Sequence, residues 1–340
     1  MAFRLTNRTR RTLAVIPLML LLAVPAAASR GSPPSSFCVL SVEEGGQLAM
    51  LEPGGRIRLK LPLGERPHEI EVTPDGRTAY VSMFGITDYD SRIGTPGNRI
   101  AEIDLVRGRV TGSLLTPHGL TGPHGLKLRP GHPRELFVNT EVGGDTMLVF
   151  DRRSRRVLRR FPLPKATHNF VFARKGEALF SFAGANGVAR IDAVSGRQSA
   201  HVDVGSPVRG LAVMTNGNVL AAAKGEVIEL RAANLAIVRR LKAPRDGQYV
   251  YLTQLPDGTI VAPSLGDDGI AWFDRGRLPA RFIATGKAAL SARLGPDGLI
   301  YVANVDDDHL TVLDRHGTVK RALGGLASPN GLAFGACPRV

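Results

Sequence analysis

The sequence predicts an all-β, seven-bladed β-propeller, and three observations carry that prediction. A short apolar strand, a Gly-containing turn and a second apolar strand recur along the chain, with copies opening at Pro67, Pro123, Thr167, Val208, Tyr249, Ala289 and Pro329. Most copies lie about 40 residues apart, the spacing of four-stranded blades. The last copy is cut short, and its missing part stands at the other end of the chain. After Pro329 only a first strand remains, whereas Phe37 to Gly64 reads as strands B, C and D without an A. Joining the two makes a composite seventh blade and removes the open edges that a linear stack of sheets would expose.

From the N-terminus, residues 1–29 read as an export signal: Arg4, Arg8, Arg10 and Arg11 precede an apolar run from Leu13 to Ala28 that ends in small residues. That run is short and carries Pro17 and Pro25, which fits cleavage rather than a membrane span of about 20 residues. Its ThrArgArgThrLeu stretch at 9–13 leaves the twin-arginine and general secretory routes both open. A Pro/Ser-rich lead-in at 30–36 is expected to be flexible, and residues 37–340 form the propeller. Within each copy, runs such as IleGluVal at 70–72 and LeuLysLeu at 126–128 alternate with period two, so successive side chains face opposite ways. ProAspGly and ThrAsnGly between strands supply tight turns, because Pro presets φ and Gly tolerates φ > 0. No helical periodicity competes with this reading downstream of residue 30. Aligned on the repeat, Cys337 falls in the turn after the last strand A and Cys38 opens the first strand B, so a disulfide between them is expected. Two cysteines in an exported chain this long suit one structural bridge rather than a disulfide scaffold.

The repeat also sorts the polar residues onto two faces. His68, His124 and His168 stand at the entrance to strand A of three consecutive copies, and Arg209, Val250, Leu290 and Asn330 hold the corresponding place in the others. Strand A lines the central channel, so the three imidazoles are expected at one mouth, where they can bind a ligand or a divalent metal. Glu141, ending PheValAsnThrGlu, can complete that set, and Asn330 and Arg209 extend it as a polar pocket. Loops on the same face carry Glu43, Glu44, Asp88, Asp90, Asp145, Asp267, Asp268 and Asp306 to Asp308, which predicts an acidic face. The opposite face collects arginines, densest from Arg152 to Arg160, and Arg152, Arg153, Arg155 and Arg156 are candidates for binding an anionic polymer. The formal net charge of +14 agrees with such a partner, although an Arg-rich composition alone also produces it. No GxSxG, HExxH, P-loop, GxGxxG, CxxC or EF-hand spacing occurs, which removes the corresponding hydrolase, nucleotide, redox and calcium signatures.

ProAspGly-x-x-x-TyrVal at 74–81 and ProAspGly-x-x-TyrValAlaAsn at 296–304, each between strands, resemble the YVTN-repeat propeller family over essentially the whole mature chain. ProHisGly at 123–125 with ThrGlu at 140–141 is similar, locally, to lactonase-like and virginiamycin B lyase-like propellers. The lyase resemblance implies a histidine base and a bound magnesium ion, which would cast His124 and Glu141 as candidate catalytic residues. The Trp-containing strand B that such lyases repeat is replaced here by AlaTyrValSer, LeuPheValAsn, LeuPheSerPhe and IleTyrValAla. Three functions are therefore expected to compete on one fold. The first is noncatalytic binding of a small molecule or protein at the His- and acid-rich mouth by an exported, monomeric propeller. The second is a metal-assisted lactonase or lyase in the same pocket, and the third an envelope scaffold that meets anionic polymer through its Arg face.

Overall fold

A computed structural model describes residues 37–64, 66–87 and 92–339. The expected signal sequence at 1–29 and the lead-in at 30–36 lie outside the described residues. Twenty-eight strands, numbered β1 to β28 in chain order, form seven four-stranded antiparallel sheets. Strand β28 (Pro329–Gly335) pairs with β1 (Cys38–Glu43), followed by β2 (Gln47–Leu51) and β3 (Ile57–Pro62), so both ends of the described chain close one blade. A Cys38–Cys337 disulfide, with the two Cα atoms 4.9 Å apart, fastens that blade. Among the described residues no helix is long and apolar enough to cross a membrane.

Burial explains why strands B and C read as nearly continuous apolar runs. They lie between neighbouring blades, so both faces are covered, as in β13 (Ala178–Ala183) and β22 (Gly269–Phe273), which are buried throughout. Fourth strands meet water on one face and alternate, as in β15 (Gln198–Asp203). Aromatic side chains fill the spaces between blades while their polar tips find partners. Trp272 is fully buried and donates its indole N–H to Asp274 Oδ1 at 2.7 Å; buried Tyr301 donates its hydroxyl to Asp297 Oδ2 at 2.9 Å.

First strands line the channel: β4 (Pro67–Val72), β8 (Thr121–Leu128), β12 (Phe170–Phe172), β16 (Val208–Val213), β20 (Thr253–Gln254), β24 (Ala289–Leu294) and β28. Two are shorter than the repeat predicts, for local reasons. In β12 the Asn169 side chain takes the Phe170 N–H at 2.7 Å, diverting it from the ladder. Before β20, Pro263 accepts from the Val250 N–H at 2.9 Å but has no N–H to return, so the ladder there shrinks to one isolated bridge between Tyr249 and Ser264, while Tyr251 bridges instead to Ser291 of β24.

Candidate metal and ligand site

The repeat-equivalent residue at the entrance to each first strand occupies one ring at the channel mouth: His68, His124, His168, Arg209, Val250, Leu290 and Asn330. A repeated β-bulge creates it. Pairing with the neighbouring strand skips between Pro67 and Ile70, Pro123 and Leu126, Val208 and Gly210, and Ala289 and Ser291. A bulged residue leaves the ladder and its side chain is re-aimed. His68, His124, Arg209 and Leu290 all sit at such skips.

The three imidazoles meet there. The His124 ring centroid lies 4.1 Å from that of His68 and 3.9 Å from that of His168. Glu141 comes from the end of β9 (Glu135–Val142), the strand next to β8, and its Oε1 lies 3.0 Å from His168 Nδ1 and 3.7 Å from His124 Nδ1. One donor atom each from His124, Glu141 and His168 fall within 4.8 Å of one another, the one such His/Cys/Asp/Glu cluster among the described residues. His68 lies outside that triplet: its Nε2 is 3.2 Å from Asn330 Nδ2, and Asn330 in turn reaches Glu44 Oε1 at 3.4 Å. Phe84 packs edge-on against both His124 at 4.8 Å and His68 at 5.7 Å, and Phe182 stacks on His168 at 6.4 Å, so each ring of the trio has a phenylalanine neighbour. Arg209 is exposed and lines the adjoining cavity with His168 and Asn330.

Beneath the mouth, a second ring reads Glu69, Gly125, Asn169, Gly210, Tyr251, Ser291 and Gly331. Large and small residues alternate because neighbouring first strands approach closely near the axis. A Cβ on Gly125 would stand 2.5 Å from Asn169 Oδ1, one on Gly210 2.3 Å from the Val250 carbonyl oxygen, and one on Gly331 2.5 Å from that of His68. Seven being odd, alternation fails once, at the adjacent Ser291 and Gly331. Asn169 reaches across to blade 1 (β4 to β7, the blades being numbered in chain order with the composite one seventh) and donates to Glu69 Oε1 at 2.9 Å. Burial pushes the Glu69 carboxyl upward, but the charges of Lys127, His68, His124 and Arg293 outweigh it and hold the group below its ordinary range. Two residues on, burial dominates, and the Glu71 carboxyl is raised despite Lys127 and the Leu128 N–H bond. The mouth ring follows from the repeat alignment itself; the second ring lies one residue further along each copy and comes from the same alignment shifted by one.

The acidic loops have a second task that sequence reasoning missed. Asp145 accepts from the Ala166 and Thr167 N–H groups at 3.2 Å each, Asp268 from Ala288 at 3.4 Å, and Asp308 from Ser328 at 2.7 Å. Ala166, Ala288 and Ser328 each have φ between 48° and 62°, the left-handed region, just before a first strand. These carboxylates thus hold the strained links that lead into the channel. Glu43 is fully buried and paired with Lys60 Nζ at 3.0 Å, so it does not contribute to an open acidic face. Asp88 and Asp90 lie outside the described residues.

On the opposite side, two of the four candidate polyanion residues are already committed. Arg152 donates to Tyr80 Oη at 3.1 Å and lies over its ring, and Arg155 pairs with Glu102 of the neighbouring blade at 2.8 Å. Arg153 and Arg156 are exposed.

No family model matches the chain, and no curated protein matches it in sequence. Its fold is similar to the crystal structure of a functionally unknown protein from Desulfotomaculum acetoxidans, with a TM-score of 0.69 and 12% identity over 88% of this chain and 99% of that one. At that identity the likeness shows the fold, a seven-bladed β-propeller, and leaves function to the site.

Proposed function

We propose that this propeller is an exported binding protein whose channel mouth holds a first-row transition cation and, beside it, a small molecule. One observation carries the reading: a carboxylate oxygen and two imidazole nitrogens, from β8, β9 and the segment leading into β12, converge to within 4.8 Å. An N₂O donor set of this kind suits zinc, nickel, iron or manganese. It does not suit the magnesium that a lyase resemblance implies, since magnesium takes oxygen ligands in near-ideal octahedra. A cavity of about 580 Å³ opens next to the cluster, lined by His168, Arg209 and Asn330 among others, which is the size range of small-molecule sites. The disulfide supports an oxidising compartment, and the ProAspGly repeats support a place among the YVTN-type propellers.

Metal analysis of the mature protein, followed by zinc titration of the chelator-treated form, tests the reading. We expect one equivalent in the parent and none in His124→Ala/His168→Ala, with that variant still unfolding in a single cooperative urea transition. Equal zinc content in parent and variant removes the site. Turnover of a lactone by the loaded protein would convert the binding site into a catalytic one. The polymer-scaffold reading is weaker, because Arg152 and Arg155 are occupied within the fold.

A further inference from the structure

The mouth is chemically split, and the split specifies a ligand. Blades 1 to 4 and 7 contribute His68, His124, His168, Arg209 and Asn330 to the mouth ring, whereas blades 5 and 6 contribute Val250 and Leu290. Those two pack with Val305, from the turn Val305–Asp307 of blade 6, into one apolar cluster, with Leu265 and Tyr251 against it. The same residues form one wall of the 580 Å³ cavity, and His168 and Arg209 stand on another. A purely polar ligand would leave the apolar wall facing water, and a purely apolar one would strip water from Arg209 and the imidazoles without replacing their hydrogen bonds. Asp306 also lines the cavity, and it is exposed. An anionic head group is repelled from that side and drawn toward Arg209 and the cation held by His124, Glu141 and His168.

We infer that the ligand is a small amphipathic carboxylate, its head group between the metal and Arg209 and its alkyl or aryl body against Val250, Leu265, Leu290 and Val305. The assignment rests on the binding reading above for its head group, whereas its apolar half rests on the cavity wall alone. Each methylene moved from water to such a wall should tighten binding about fourfold.

The test is calorimetric titration of zinc-loaded mature protein with acetate, butanoate, hexanoate and octanoate, and with octan-1-ol as the neutral head group. Zinc content is measured in every sample. We expect affinity to climb about fourfold per methylene along the acids, and octanoate to bind at least tenfold more tightly than the alcohol. Arg209→Gln should weaken all the acids by a similar factor and keep the chain-length slope. Leu265→Gln, at a half-buried position, and the near-isosteric Val250→Thr should each flatten that slope. A slope below twofold per methylene in the parent, or one untouched by both wall variants, overturns the proposal, as does equal binding of the alcohol. A normal slope in protein that takes up no zinc supports the apolar assignment and removes the metal reading, so the two failures are distinguishable.

Discussion

Adding a single methyl group at Gly125 tests how far the second channel ring supports the mouth above it. Gly125 has no left-handed φ, so Gly125→Ala introduces no backbone strain of its own. Its Cβ, however, would lie 2.5 Å from Asn169 Oδ1 and 2.7 Å from Asn139 Oδ1. Both amides are engaged: Asn169 holds Glu69 at 2.9 Å and takes the Phe170 N–H, and Asn139 donates to the Thr167 carbonyl at 2.9 Å. Overpacking a filled interior costs about 1–3 kcal/mol, and losing a buried hydrogen bond to a charged carboxylate about 1.5–3 kcal/mol. The stiffer unfolded chain returns about 0.4–1 kcal/mol. The expected net loss is therefore roughly 2–5 kcal/mol. Urea unfolding followed by tryptophan fluorescence measures it, because Trp272 is buried in a different blade and reports the cooperative transition. Gly54→Ala is the control: it is exposed, without a left-handed φ, and a Cβ there meets nothing within 4 Å. Because Thr167 precedes His168, folded Gly125→Ala should also bind zinc more weakly. A loss below about 1 kcal/mol, equal to the control, would refute the claim that close strand approach dictates glycine in this ring.

Three further outcomes follow from particular contacts. Cys38→Ser should lower stability by something on the order of 5 kcal/mol, since the bridge spans 299 residues of sequence; an unchanged urea midpoint would show that strand pairing alone closes the blade. Glu135 is held below its ordinary range first by its Arg159 hydrogen bonds and, against burial, also by Arg129, with all three contacts at 3.0 Å. A depressed carboxyl contributes stability that is fully present above its unfolded value near 4.5 and lost as pH falls through the lower folded value. Glu135→Gln should thus cost about 3 kcal/mol at pH 7 and progressively less in acid; a pH-independent difference would contradict that linkage. Finally, Arg153→Ala/Arg156→Ala should reduce heparin retention with no change in unfolding midpoint, while Arg152→Ala should destabilise by freeing the Tyr80 hydroxyl. Unaltered salt-dependent retention in the double variant excludes the patch.

The sequence by itself determined the number of blades, the closure of the seventh by both ends, the Cys38–Cys337 pairing and the gathering of three histidines at one mouth. All four are consequences of repetition: once ProHis or its equivalent recurs at the same point of the same strand, closing the ring brings the copies together whatever the details of packing. Tertiary structure decided which atoms meet. Glu141 joins His124 and His168 while His68 turns to Asn330, because the bulges and the stagger between adjacent blades set distances that strand period and turn chemistry do not encode. The same holds for charge. Asp145, Asp268 and Asp308 look like an open acidic face in one dimension, yet in three they cap the links of left-handed residues some 20 positions further on, and Arg152 and Arg155 are bound to residues of the preceding blade. Spacing along the chain orders residues around the ring; only packing between blades shows which charges are already neutralised and which remain for a ligand.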